Sequence, residues 1–143
     1  MNPPGPTAQP AAHRSPTVLV VDDFAAICDL IAWHLSAIGY RVLTASEPAE
    51  VQRIVRSRTG AEIDLLLTDV QMPKLRGDKL AAWFCHECPQ ARVLFMSANR
   101  LSLSGLPGVN FLEKPFSLEA LNAAVRQALA SAPGMVPTLA SAA

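Results

Sequence analysis

Three stretches with apolar centres dominate the chain, and each stops at a polar residue: "VLVVDD" (18–23), "IDLLLTD" (63–69) and "RVLFMS" (92–97). A strand with one wet face alternates apolar and polar residues. A run that is apolar throughout, bounded by turn residues and of strand length, fits a strand buried on both faces. Such strands belong to parallel sheets covered by helices on either side.

The intervening segments carry helical spacing. Ile27, Leu30, Ile31, Leu35 and Ile38 mark one face of a first helix that Gly39 ends. After a weaker strand, "YRVLTA", Ser46 offers an N-cap and Pro48 a first turn for a helix reaching about Arg58. A third helix is predicted from Asp78 to about Glu87, with Leu80, Ala81, Phe84 and Cys88 facing inward. "VNFLE" reads as a fifth strand. Ser117 then caps a last helix with Leu118, Leu121, Val125, Ala128 and Leu129 on its face. The alternation predicts an α/β fold, a doubly wound (βα)5 parallel sheet. Its domain is expected over residues 17–131, between a Pro-rich disordered arm (1–16) and a flexible tail (132–143).

At 143 residues, half of them hydrophobic and 17% charged, the chain can bury one real core. Formal net charge is zero, so no basic footprint for nucleic acid or an anionic membrane is expected. The longest apolar runs fall short of the ~20 residues of a spanning helix, and the N-terminus lacks signal-peptide character. A cytoplasmic location is therefore expected. The three cysteines, Cys28, Cys85 and Cys88, make no even disulfide set. The "CHEC" pair lacks a second ligand pair for zinc and sits at a helix end rather than its start, so all three read as ordinary reduced thiols.

Right-handed crossovers place every strand's C-terminal end on one edge of the sheet, where ligands of open α/β sheets bind. That edge collects Asp22, Asp23, Asp69 and Ser97, with Lys114 after the fifth strand. Three converging carboxylates repel unless a cation lies among them, and an oxygen-only ligand set points to Mg²⁺. A carboxylate beside a divalent metal and a lysine is suited to accept a phosphoryl group, which a hydroxyl at Ser97 can then bond. No P-loop, Gly-rich nucleotide loop or HExxH sequence supports a nucleotide enzyme or zinc hydrolase.

In the order "VLVVDDF", "LLLTDVQMPKLRG", "VLFMSA", "FLEKPF", the chain resembles the receiver domain of two-component response regulators, over about residues 17–131. The resemblance implies a flavodoxin-like sheet of order 2-1-3-4-5. It implies Asp69 as phosphoacceptor, with Asp22, Asp23, Asp69 and the backbone carbonyl of Gln71 holding Mg²⁺. Ser97 and Phe111 match the switch residues and Lys114 the phosphoryl-contacting lysine. Pro73 and Gly77 shape the loop after the acceptor, and Pro115 follows a cis bond that turns Lys114 back over Asp69. The implied partners are a sensor histidine kinase or phosphotransfer protein and a downstream protein, the domain catalysing only its own phosphotransfer and dephosphorylation.

Plainer readings stand beside these. Asp69 alone could be a helix cap, Ser97 a polar strand end, and Phe111 serves equally well as permanent core. Trp33 and Trp83 read as partial core, His34 as a boundary residue without an acidic partner, and His13 and His86 have no assigned role. Only eleven residues separate Ser97 from Val109, and Gly105, Pro107 and Gly108 close that stretch. A helix there is limited to about Asn99–Ser104, shorter than the family's fourth helix. A monomer is therefore expected, with Leu101, Leu103 and Leu106 contacting another protein. The alternatives are a receiver module of a hybrid kinase or larger effector, or an interaction scaffold that works without phosphorylation.

Overall fold

Five parallel strands form the centre of the molecule, in the order β2-β1-β3-β4-β5. The structure is a computed structural model that describes residues 14–57, 61–99 and 109–133. The strands are β1 (Thr17–Val21), β2 (Arg41–Ala45), β3 (Leu65–Asp69), β4 (Arg92–Ser97) and β5 (Asn110–Glu113). The helices among the described residues are α1 (Ala25–Ala37), α2 (Pro48–Arg56), α3 (Gly77–Glu87) and α4 (Leu118–Leu129). This is the flavodoxin-like order expected. The short helix anticipated between β4 and β5, with Leu101, Leu103 and Leu106, lies outside the described residues.

Side-chain alternation divides the core into two layers. Leu19 and Val21 of β1, with Leu66 of β3 and Phe95 of β4, pack under α2 and α3 through Val51, Val55, Leu80 and Phe84. Val18 and Val20, with Leu65, Leu67, Leu94 and Met96, face the other way onto Ile31 and Leu35 of α1 and Leu121 and Val125 of α4. β1 and β3 are buried along their whole length, which is why their sequences show no alternation. β2, an edge strand, is buried only at Ala45.

Several local expectations change. The buried stripe of α1 is Cys28, Ile31 and Leu35, while Leu30 and Ile38 are exposed. Trp33 is not partial core: it stands 68% exposed, because α1 is apolar on most sides and only one stripe faces the sheet. Trp83 does pack against the α2–α3 layer. Ser46 is not the cap of α2. Glu47 occupies that position without a side-chain cap bond, and Glu50 Oε1 instead accepts the Ser46 N–H at 2.9 Å and its hydroxyl at 3.3 Å. α2 ends at Arg56, and the expected end near Arg58 lies outside the described residues. Ser117 caps α4 as expected, its hydroxyl accepting the Ala120 N–H at 3.0 Å. On that helix Leu118 is exposed rather than inward. His34 has a partner that spacing along its own helix could not show: its Nε2 lies 2.7 Å from Asn122 Oδ1 of α4.

Candidate functional site

The parallel topology ends β1, β3 and β4 on one edge, and the loop after β5 returns to it. Asp22 and Asp23 follow β1, Asp69 closes β3, and one carboxylate oxygen from each lies within 4.8 Å of the others. Asp22 and Asp69 are buried and Asp23 is exposed. Lys114 reaches over them from beyond β5. Its Nζ lies 2.7 Å from Asp22 Oδ2 and 3.5 Å from Asp69 Oδ1. The lysine therefore sits closer to Asp22 than to Asp69, the residue over which the resemblance implies it turns. The Lys114–Pro115 bond is cis.

The backbone supports Asp22 directly and Asp69 through its neighbour. Asp22 Oδ1 accepts the Phe24 N–H at 2.9 Å, a local turn that leaves Oδ2 for the lysine. Beneath it, the buried Cys28 thiol points at the carbonyls of Asp22 (3.5 Å) and Ala45 (3.7 Å). Burial first, and then the neighbouring Asp22, push that thiol up to about 11. Cys28 is a support the sequence gave no reason to link to the site. Asp69 is pinned from behind, where the Gly77 N–H donates to the Val70 carbonyl at 2.7 Å. A Cβ at position 77 would stand 2.0 Å from the Asp69 carbonyl oxygen, so only glycine fits.

Burial raises the pKa of Asp69 above the usual carboxylate range. Lys114 pulls it down, and the charges of Asp22 and Asp23 add to the rise. One ammonium does not balance three carboxylates, so the set calls for further positive charge. All the donors are oxygens, two of them buried, which fits a small hard dication such as Mg²⁺. No other group of this kind occurs among the described residues.

Ser97 is fully buried at the end of β4, and its hydroxyl is turned into its own loop, accepting the Asn99 N–H at 3.0 Å. Its carbonyl accepts the Lys114 N–H at 2.9 Å, joining it to the lysine through the backbone. Phe111 of β5 is half-buried against the α2–α3 layer. Gln71 and Pro73 are exposed on the loop between Asp69 and Gly77. Cys28, Cys85 and Cys88 form no disulfide, and burial pushes Cys85 up to about 11. No helix among the described residues is long and apolar enough to cross a membrane.

The chain is similar to known proteins. The chain is 32% identical over 120 residues to a DNA-binding transcriptional regulator NtrC of Azospirillum brasilense. It is 29% identical over 117 residues to the alkaline phosphatase synthesis transcriptional regulatory protein PhoP of Bacillus subtilis. These matches take in 80% and 78% of this chain but only 24% and 48% of the relatives, so it spans at most about half their length. Among solved structures, a response regulator receiver domain protein from Clostridium thermocellum superposes with a TM-score of 0.70 at 30% identity, covering 80% of this chain and 94% of that one. The family model for the response regulator receiver domain matches residues 18–126, most of the chain. A match of that extent, running from β1 into α4 and enclosing every acid of the edge, makes this chain a member of the response regulator receiver domain family.

Proposed function

We propose that Asp69 receives a phosphoryl group from a phosphohistidine of a sensor histidine kinase or phosphotransfer protein. The observation that carries this is the joining of a buried carboxylate to a second acidic pair and a lysine at the ligand-binding edge of the sheet. The Asp69 carboxylate attacks phosphorus in line. The phosphorus–nitrogen bond of the donor breaks, the imidazole leaves with the electron pair, and an acyl phosphate remains on Asp69.

Asp22, Asp23, Asp69 and the Gln71 carbonyl would hold Mg²⁺, which supplies positive charge for the phosphoryl oxygens. Lys114 provides an ammonium already within 3.5 Å of Asp69. The new oxygens compete for the Ser97 hydroxyl, which exchanges its bond to Asn99 for one to the phosphoryl group, drawing the loop after β4 along. Phe111 responds to that shift, and Pro73, Gly77 and Pro115 shape the loops that carry Asp69 and Lys114. The domain acts in the cytoplasm as a monomer, passing its signal by contact with another protein and acting as catalyst only on its own phosphate.

Incubating the protein with acetyl phosphate tests this. The expected result is one added phosphoryl group, dependent on Mg²⁺, labile to base and absent from Asp69→Asn. Labelling that persists in Asp69→Asn places the acceptor elsewhere. No labelling of the wild type under any phosphodonor favours a scaffold that works without phosphate.

A further inference from the structure

Beside the acids lies a second feature that phosphoryl transfer does not use. A cavity of about 320 Å³ opens between the start of α2 and the loop that follows Asp69. Its walls include Val51, Met72, Leu75 and Leu80, so its floor is the α2–α3 core layer itself. Its volume lies in the range of small-molecule sites, and its apolar floor with a few polar groups at the rim has their character.

The rim sets the charge of the ligand. It carries Asp23, Glu47 and Lys74. Lys74 Nζ is engaged with Glu47 Oε1 at 3.0 Å, which leaves Asp23 as the rim charge with no ion pair among the described residues. The same Asp23 supplies a carboxylate oxygen to the three-acid cluster. An anion entering the cavity would meet that carboxylate, whereas a cation would pair with it.

We infer that this cavity binds a small organic monocation, with an aromatic or branched aliphatic body against Val51, Met72 and Leu80 and an ammonium on Asp23. Binding holds the Met72–Leu75 segment against α2 and neutralises one of the acids. The monocation and a divalent metal therefore oppose one another through their shared carboxylate. By linkage each weakens the other by the same factor. Only this competition rests on the reading of the acids as a metal site. Occupancy of the cavity does not.

The test is calorimetric titration of the whole chain with 2-phenylethylamine, charged at neutral pH, beside the neutral 2-phenylethanol and the anion 3-phenylpropanoate. The amine should saturate one site, with the alcohol about tenfold weaker, as one charge-assisted hydrogen bond implies, and the carboxylate weaker still. Asp23→Asn should bring amine and alcohol level. Met72→Trp, which fills the cavity from its loop, should remove both, with Leu75→Trp as the second filler if the first fails to fold. Mg²⁺ should weaken the amine and leave the alcohol unchanged. Absence of saturable amine binding, equal affinity for amine and alcohol, or full amine binding by Asp23→Asn overturns the inference. Labelling by acetyl phosphate without amine binding defeats the cavity alone, and amine binding without labelling defeats the phosphoacceptor reading alone.

Discussion

The two edges of the sheet handle charge in opposite ways. At the edge where the strands begin, two acids each have their own arginine. Arg14 pairs with Asp64 at 2.9 Å and Arg41 with Glu62 at 3.1 Å. Asp64 also accepts the Thr17 N–H at 2.8 Å, so it ties β1 to the chain entering β3. These pairs are half-exposed, their charges balance, and solvent screens them. Where the strands end, three carboxylates converge on a single lysine that pairs with two of them, Asp22 and Asp69, and those two are buried. The first edge is balanced as folded. The second has a deficit of positive charge that a bound cation would relieve.

The largest expected contrast comes from removing the cation at each edge. Lys114→Met leaves Asp22, 1% exposed, without its ion pair, and should cost about 3 kcal/mol, whereas Arg14→Gln should cost about 0.5 kcal/mol. Urea unfolding of both variants without divalent metal checks this. Equal losses would mean that the two edges are not electrostatically distinct.

Next in size is the response to Mg²⁺. At a metal concentration 100-fold above its dissociation constant the wild type should gain about 2.7 kcal/mol. Asp23→Ala should gain much less, and Arg14→Gln as much as the wild type. Thermal melts over a Mg²⁺ series measure the three together, and equal gains in wild type and Asp23→Ala would remove the metal from this edge.

The smallest effect concerns Asp69 without metal. Its folded-state pKa lies above its unfolded value, chiefly through burial, so the folded protein keeps a proton that the unfolded chain has lost between those two values. Stability from this group therefore falls as pH rises from the ordinary carboxylate range through the folded pKa, and the ionised form is the less stable one at neutral pH. Asp69→Asn should flatten that slope and raise stability by about 1 kcal/mol, or roughly 3–6 °C in Tm, at pH 7. A variant that melts lower than the wild type at pH 7 contradicts this sign.

How much of this was legible in the sequence followed from which interactions are local. β1 and β3 could be read directly because burial on both faces leaves an unbroken apolar run, and their terminal acids were then placed by topology alone. α1 misled for the converse reason: in a helix apolar on most sides, spacing does not say which stripe meets the sheet, so Leu30 and Trp33 were turned inward and Cys28 was overlooked. The pairing of His34 with Asn122 joins residues 88 apart in the chain, beyond the reach of any spacing rule. The sequence places Asp22, Asp23, Asp69 and Lys114 on one edge, as the structure does, but it does not show that Lys114 lies nearer Asp22 than Asp69. That choice depends on the Phe24 turn, which occupies one oxygen of Asp22 and presents the other.

The fit at Gly77 has a mechanical consequence. The first residue of α3 rests against the carbonyl oxygen of Asp69 and is bonded to that of Val70, with no room for one more carbon atom. Such a joint has no backlash. A displacement of the main chain at Asp69 would meet the first turn of α3 with no gap to absorb it, at the start of a helix that runs to Glu87.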